Sequence, residues 1–285
     1  MNRPMSTPET AAAAEAALPV LGVCLPNDDI EAQLDWIVQD QRDLEVQDFF
    51  SAEVLDGDWQ AVAARTRKLL AAHTGRLGIH GPFWGFSLGT MDPLIRDVVR
   101  KRMDQGLDVC EAIGATQMVI HSPATTWDYN NRHHLPGAYR MFDNVHASLE
   151  AAVARAERLG VVLVLENIED KDPAERVRLA ESFGSDAVRV SVDTGHAHYA
   201  HRSTGAPPVD HYILAAGDML NHVHIQDADG YADRHWAPGM GDILWGSVFK
   251  ALEHCGAAPR LNLELRDKSG VQPAAEWFKA RGLAR

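Results

Sequence analysis

The 285-residue sequence has few cysteines, and their arrangement does not suggest a disulfide framework or a zinc ribbon. Cys24, Cys110 and Cys255 are odd in number, lie in apolar or helical stretches and show no Cys-x-x-Cys spacing. We therefore expect three buried thiols in a reducing compartment.

Long apolar runs are also missing. The N-terminal stretch MNRPMSTPETAAAAEAALP has an Ala-rich run interrupted by Glu, but no apolar core of signal-peptide length after a basic start. No later stretch approaches the ~20 uncharged apolar residues of a transmembrane helix. These absences predict a cytoplasmic protein with no membrane partner. We expect residues 1–18 to form a disordered tail in front of one domain at residues 19–285.

Positive charge is scarce, since 27 Lys and Arg stand against 40 Asp and Glu for a formal net charge of −13. Without a Lys/Arg run or a basic stripe, the chain is poorly suited to neutralise a phosphate backbone, so no nucleic-acid partner is expected. With 46% hydrophobic residues, the chain is long enough to form one large core.

After the tail, short apolar runs rich in Val, Ile and Leu alternate with longer segments of helical period. Asp92 and Asp172 each precede a first-turn proline, and Gly114 and Gly160 each close a helix. The apolar runs predict eight strands, at residues 20–25, 44–49, 77–80, 117–121, 161–166, 188–193, 222–225 and 261–264.

Eight strand-then-helix units in one chain predict an α/β fold with a parallel sheet and helices outside. A closed (β/α)₈ TIM barrel, as a single domain, satisfies this count at a typical length. A doubly wound open sheet is the structural alternative. The side chains at the strand ends favour the barrel, because reactive groups in parallel barrels come from the C-terminal ends of the strands.

Six of the predicted strands carry a side chain able to bind a metal at or near their C-terminal end. One histidine or aspartate at such a place is weak evidence, since it can be a structural hydrogen-bonding group or a helix cap. Coincidence over six strands is much harder to explain. Three imidazoles with three carboxylates suit Zn²⁺, Mn²⁺ or Fe²⁺. The six residues are His80, His121, Glu166, Asp193, His224 and Glu264.

Two loops add three further candidate ligands. His196 follows Asp193 by three residues in Asp-Thr-Gly-His, where Gly195 is expected to let the backbone turn sharply. In the loop after the seventh strand, the spacing of Asp233 and His235 places both side chains on one side of an extended segment. The alternative for this pair is a solvated surface loop.

These segments together resemble the xylose-isomerase-like TIM barrel superfamily, which includes sugar phosphate isomerases and epimerases and is related to the endonuclease IV nucleases. The resemblance covers roughly residues 20–280, and its most specific elements are the VDTGHA turn and the DRHWAPGMGDILW segment. The matching stretches are IHGP (79–82), VIHSP (119–123), LVLEN (163–167), VDTGHA (192–197), HVHIQD (222–227), DRHWAPGMGDILW (233–245) and LNLEL (261–265).

The resemblance implies a divalent-metal site of one to three ions, Mn²⁺ or Zn²⁺, with Fe²⁺ or Co²⁺ as alternatives. The ligands shared across the superfamily fall on Glu166, Asp193, His224 and Glu264. The nuclease branch's three-metal site adds positions that match His80, His121, His196, Asp233 and His235. Dimers and tetramers are common in the family, which leaves room for a homo-oligomer.

The sequence departs from the family pattern at two places. The usual Gly-Glu-Gly is Gly239-Met240-Gly241, which puts in doubt whatever that glutamate does for the substrate or the loop. The first strand reads LGVCLPND rather than the Gly-x-His of the nuclease branch, which weakens the resemblance to that branch.

The resemblance implies a metal-dependent isomerase or epimerase acting on a small sugar, keto-sugar or polyol derivative. Glu166 and Glu264 would be both ligands and acid/base groups, and His196 would hold a substrate oxygen or a further metal. An endonuclease IV-like phosphoester hydrolase at a multinuclear site is the alternative. A metal-dependent binding module without turnover is the third class. For substrate contacts, the rim positions suggest Trp84, Trp127, Trp236 and Arg266.

Overall fold

Eight short strands pair in chain order, all parallel, and the last pairs with the first, so the sheet closes into a barrel. The computed structural model describes residues 18–134 and 140–285. The predicted (β/α)₈ TIM barrel is therefore confirmed and the open doubly wound sheet is wrong. Of the predicted tail, residues 1–17 lie outside the described residues. The strands are β1 Gly22–Leu25, β2 Leu44–Val46, β3 Leu77–His80, β4 Gln117–His121, β5 Val162–Glu166, β6 Val188–Asp193, β7 Leu220–Ile225 and β8 Arg260–Leu263.

Helices surround the barrel and follow the strands. They are α1 Asn27–Gln39, α2 Ala52–Asp56, α3 Trp59–Leu69, α4 Pro93–Ile113, α5 Thr126–Asn131, α6 Met141–Leu159, α7 Pro173–Glu181, α8 Thr194–Thr204, α9 Val209–Ala216, α10 Trp245–His254 and α11 Val271–Lys279, with short 3₁₀ turns at Gly217–Met219 and Lys268–Gly270. No helix in the described parts of the chain is both long and apolar enough to cross a membrane.

The helix boundaries follow the capping chemistry that the sequence indicates. The Asp92 carboxylate accepts a hydrogen bond from Leu94 N at 2.8 Å ahead of α4, and Asp172 does the same for Ala174 N ahead of α7. Gly114 closes α4 with a φ of 74°, a left-handed conformation that costs glycine little. Local side chains therefore fix where these helices begin and end.

Strand register brings the candidate site residues next to one another. His121 on β4 is directly paired with Glu166 on β5, and Asp193 on β6 with His224 on β7. Because all strands are parallel, their C-terminal ends meet at one mouth of the barrel. The three cysteines are buried and free, as expected.

Buried polar side chains also lie inside the barrel, below the mouth. Glu45 on β2 contacts His224 on β7, which is not a neighbouring strand, so this contact crosses the barrel interior. Ser191 on β6 hydrogen-bonds His222 on β7 at 2.8 Å. A buried polar group is costly unless it is paired, and these residues pair with one another across strands.

Candidate metal centre

The structure gathers all nine candidate ligands at the C-terminal mouth, in three adjoining groups. Four of the residues end their strands, His224 lies one residue before the end of β7, and Glu264 directly follows β8. The remaining three lie on α8 and in the loop after β7. The side group is His80, His121 and Glu166; the central group is Glu166, Asp193, His224 and Glu264; the outer group is His196, Asp233 and His235.

The side group has the spacing of ligands around one cation. His80 Nε2 and His121 Nε2 lie 3.4 Å apart, and Glu166 Oε2 lies 3.8 and 3.6 Å from them. Two ligand atoms bound to one tetrahedral Zn²⁺ at ~2.1 Å stand about 3.4 Å apart. Glu166 Oε2 is buried and has no hydrogen-bond partner among the described residues. An orphaned buried carboxylate oxygen beside two imidazole nitrogens fits a cation site.

The central group is the most buried and the most acidic of the three. His224 Nδ1 lies 2.9 Å from Glu166 Oε1 and 3.3 Å from Glu264 Oε2. Asp193 completes the group from β6 and has no exposed surface. Three carboxylates around one buried imidazole repel one another unless a cation lies between them, so this set also fits a divalent ion.

The outer group is closer to solvent. Asp233 Oδ2 lies 3.0 Å from His235 Nε2 and 3.5 Å from His196 Nε2. The loop brings Asp233 Oδ2 and the His235 ring next to His196, while the Asp233 side chain stays 45% exposed to solvent. His235 has a φ of 49°, so the loop is sharply bent there rather than extended.

The histidine rings are oriented by backbone carbonyls behind them. The Nδ1 atoms of His80, His196 and His235 lie 2.9–3.0 Å from the carbonyl oxygens of Gly81, Asn167 and Glu264, respectively. A carbonyl oxygen can only accept, so each Nδ1 carries a proton and each Nε2 faces its group. This is how ligand imidazoles are usually prepared for a metal.

The expectation that Gly195 lets the backbone turn sharply is wrong. Gly195 does not allow a sharp turn, because α8 begins at Thr194 directly after β6 and Asp193 caps it by accepting from His196 N. Gly195 is instead required for space: a Cβ there would lie 2.3 Å from Gln226 Cδ. Asp193 thus combines helix capping with its place in the central group.

Gln226, which the sequence analysis did not select, links the central and outer groups. Its amide nitrogen donates to Asp193 at 3.2 Å and to Asp233 at 2.9 Å. Its amide oxygen accepts from His235 N at 2.7 Å. Because one amide holds three ligand residues, the two groups are coupled mechanically.

The site's electrostatics suit cation binding. Burial alone would raise the pKa of Glu166, but the neighbouring His224 imidazolium holds that pKa well below its ordinary value. Burial lowers the pKa of His121 to about 3, which keeps this ring neutral near pH 7. Burial opposes charge on His235 too, but its hydrogen bond to Asp233 raises the pKa of His235 to about 9. The ionised Glu166 and the neutral His121 are forms that bind metals, whereas the protonated His224 and His235 rings each release a proton when a cation binds them.

The loop that carries Met240 is ordered without a glutamate at that position. The Asp227 carboxylate accepts from Gly239 N at 2.7 Å and lies 3.3 Å from Ile243 N and Trp245 Nε1. Met240 itself is 65% exposed. Loop order therefore comes from Asp227, and the Glu-to-Met departure leaves it intact.

The predicted substrate contacts all lie around this mouth. Trp84 follows β3 and Trp127 lies on α5; both rings are more than half exposed. The Trp236 ring lies 5.1 Å from the Arg234 guanidinium, and its backbone pairs with Asp227. Arg266 N donates to His235 O at 2.9 Å, while its side chain is exposed.

The protein is thus a (β/α)₈ barrel, and its candidate site lies at the C-terminal ends of the strands, where imidazoles and carboxylates converge. The chain matches the family described as xylose isomerase-like TIM barrel over residues 38–281. It belongs to that family.

Three solved structures illustrate its relatives. The TTHB071 protein of Thermus thermophilus, soaked with ZnCl₂, is 24% identical with a TM-score of 0.67, over 91% of this chain and 96% of that one. A D-tagatose 3-epimerase-like protein is 17% identical with a TM-score of 0.73, over 92% and 96%. An L-ribulose 3-epimerase is 18% identical with a TM-score of 0.68, over 93% and 95%. At these identities the likeness shows the fold.

Proposed function

We propose that this protein is a divalent-metal-dependent isomerase or epimerase of a small sugar, keto-sugar or polyol derivative. The observation that carries the proposal is the placement of Glu166 and Glu264 at 2.9 and 3.3 Å from one atom, His224 Nδ1. They come from the end of β5 and from the residue directly after β8, which are separated by β6 and β7, so they reach one position from different strands. Two carboxylates on opposite sides of a substrate are what two-base proton transfer needs.

The central group would hold the required cation through Glu166, Asp193, His224 and Glu264. Mn²⁺ or Zn²⁺ suits this mixture of imidazole and carboxylate, with Fe²⁺ or Co²⁺ as alternatives. Bound there, such an ion supplies Lewis-acid polarisation of a substrate carbonyl. The other two groups raise the capacity of the site to three ions.

The chain's own residues carry the proton. One of the two glutamates accepts the proton from the carbon next to the carbonyl, and the C–H electron pair becomes the C=C bond of an enediolate. For epimerisation the other glutamate, in its acid form, returns a proton to the same carbon from the opposite face, and the C=O bond re-forms. For isomerisation the proton returns to the former carbonyl carbon, while the hydroxyl proton of the neighbouring carbon moves to the former carbonyl oxygen and the C=O bond forms at that neighbouring carbon. His196, on the first turn of α8, holds a substrate oxygen or completes the outer group.

The surroundings of the mouth favour a small substrate over a polymer. A cavity of about 160 Å³ opens beside His121, with an apolar wall that includes Phe83, Phe86 and Leu88. The described residues that line it include Glu169 but no Lys or Arg, which disfavours an anionic group there. Trp84, Trp127 and Trp236 offer faces on which the C–H face of a sugar can stack. The net charge of −13 argues against nucleic acid as a partner.

The decisive experiment does not require the natural substrate to be known. The protein loaded with Mn²⁺ is incubated in D₂O with a panel of free ketoses, and NMR follows deuterium entering at the carbon next to the carbonyl. We expect exchange and isomerisation with at least one ketose. Full exchange by Glu166→Gln on that ketose would contradict the assigned role, and absence of exchange across the panel would overturn the proposal.

Phosphoester hydrolysis at a multinuclear site is a second candidate, favoured by the side and outer groups. Their ligand spacings fit two further cations, which an isomerase with one metal does not need. An abasic-site duplex and a phosphodiester such as bis-p-nitrophenyl phosphate test this candidate directly. Efficient hydrolysis of either by the Zn²⁺-loaded protein, without exchange on any ketose, would replace the isomerase assignment.

A further inference from the structure

Among the four ligand histidines that a hydrogen bond orients from behind, His224 is the one held by a carboxylate. Its Nδ1 faces the central group, whereas His80, His196 and His235 face their groups with Nε2. Behind it, Nε2 donates toward both oxygens of Glu45, at 3.1 Å each. The sequence analysis assigned Glu45 no role.

Glu45 is fully surrounded by protein, and its partners are all on the far side of the barrel. His222 Nε2 lies 3.2 Å from Glu45 Oε2, and Ser191 hydrogen-bonds the other nitrogen of His222 at 2.8 Å. A carboxylate is rarely buried unless specific groups hold it. Here that cost is offset mainly by the candidate ligand His224, which hydrogen-bonds both oxygens, while His222 Nε2 lies close without hydrogen-bond geometry.

Gln47, the residue directly after β2, backs a second candidate ligand in the same way. Its amide nitrogen donates to Glu264 Oε1 at 2.6 Å. Lys268 Nζ donates to its amide oxygen at 2.6 Å and also to Cys24 O at 3.1 Å. A lysine can only donate, so Lys268 fixes which end of the Gln47 amide faces Glu264.

We propose that β2 is the positioning strand of the metal centre: Glu45 aims His224 and Gln47 aims Glu264, so that the central group is the first of the three to bind a cation. Residues 45 and 47 share one face of this extended segment, which explains how a strand that carries none of the nine candidate ligands reaches two of them. A carboxylate behind an imidazole makes it a more basic ligand than a carbonyl does. The inference rests on the proposed metal centre and not on the reaction.

The first test measures metal binding by Glu45→Gln. The glutamine keeps the side chain's size and one acceptor oxygen but removes the charge. We expect the Kd of the tightest Co²⁺ ion to rise about 10- to 100-fold, the effect usual for losing a ligand's outer partner. Isothermal titration and the visible Co²⁺ spectrum report the change. Glu253→Gln, an exposed glutamate far from the mouth, is the matched control and should bind as the wild type does.

The second test reads His224 directly. In ¹⁵N-labelled, Zn²⁺-loaded protein, its Nε2–H should give a slowly exchanging, strongly downfield proton signal, because a carboxylate accepts from it. Glu45→Gln should shift this signal upfield, while the thermal midpoint of the apo variant reports folding separately. Lys268→Met removes neither a ligand nor its direct partner, so it should raise the Kd of the same Co²⁺ ion by a smaller factor.

The outcomes separate the inference from the proposed centre. Wild-type protein that binds no Co²⁺ would sink the metal centre itself. Wild-type protein that binds Co²⁺, with an unchanged tightest Kd and an unchanged His224 signal in Glu45→Gln, would overturn the role of β2 alone. Crystals equilibrated with one equivalent of Co²⁺ should show anomalous density at the central group first, and density confined to the side or outer group would likewise overturn it.

Discussion

The two ends of the barrel offer a ligand very different surroundings. At the C-terminal mouth, imidazoles and carboxylates converge, and a cavity of about 160 Å³ opens beside one of them, His121. The N-terminal end has a larger cavity than this one, about 580 Å³, with a wall that includes Val20, Phe249 and Leu283. Its charged lining residues include Arg76 and Asp43, which pair with each other.

The candidate ligands lie at the end with the smaller cavity, so cavity size is a poor guide to the position of the functional site in this fold. Strand ends at the C-terminal mouth can carry polar side chains because the loops that follow them close over a shared space. The N-terminal cavity is lined largely by apolar side chains and by the Arg76–Asp43 ion pair, and none of the nine candidate ligands lies there. We therefore expect this end to have a structural role. If this comparison is right, matched substitutions at the two ends will have very different effects.

The largest expected effect comes from Glu166→Gln. Glu166 belongs to both the side and the central groups, so its loss should remove ions from both and lower solvent exchange on a turned-over ketose by at least ~100-fold. Elemental analysis and deuterium exchange measure the two effects. Glu253 lies at the N-terminal cavity, so Glu253→Gln should change neither the metal content nor the exchange rate. Equal losses in both variants would break the comparison.

A smaller effect is expected from Gly195→Ala. The new Cβ would lie 2.3 Å from Gln226 Cδ, and Gln226 can move only by releasing Asp193 or Asp233. We expect the free energy of unfolding to fall by about 1–3 kcal/mol and the outer group to lose affinity for metal.

The matched control is Gly246→Ala, where a Cβ meets nothing within 4 Å. Its stability should stay within ~1 kcal/mol of wild type, since alanine suits a helix better than glycine. Urea denaturation compares the two variants. A Gly195→Ala protein as stable as Gly246→Ala would show that the mouth is not tightly packed around Gln226.

The smallest effect is expected from Trp127→Ala. The Trp127 side chain is 61% exposed, so its removal should change the free energy of unfolding by less than about 1 kcal/mol. If the ring stacks on the substrate, KM should rise severalfold with kcat nearly unchanged. Leu94→Ala, at a comparably exposed position on α4, is the control and should change neither constant. Unchanged KM in both would remove Trp127 from the substrate site.

The sequence predicts the fold and the gathering of the nine candidate residues at one mouth, because both depend on local signals. Strands β3, β4 and β6 begin and end at their predicted residues, and six of the nine candidate ligands stand at or beside strand ends, where a short apolar run stops. Parallel closure then brings His80, His121 and Glu166 together without further information. The nine-residue set is therefore accessible to sequence reasoning.

The residues that hold the candidate ligands from behind, Glu45 and Gln226, could not be predicted from the sequence in the same way. Glu45 sits in the short strand Leu-Glu-Val, where one charged residue between apolar ones reads as a solvent-facing position. Its partner His224 is 179 residues away and lies across the barrel. Gln226 also shows no signal in the sequence, because its three partners become neighbours only when α8 and the loop after β7 fold against each other. A charge within a strand buried on both faces is the one signal that could have marked Glu45.

The central claim is that the C-terminal mouth is a divalent-metal centre, and anomalous diffraction tests it most directly. Crystals of protein purified without chelator, then equilibrated with Zn²⁺, are measured on both sides of the zinc absorption edge. We expect a peak within bonding distance of Glu166, Asp193, His224 Nδ1 and Glu264, joined at higher occupancy by peaks at the side and outer groups. A map with no peak at the mouth, or with zinc bound only elsewhere, would contradict the account.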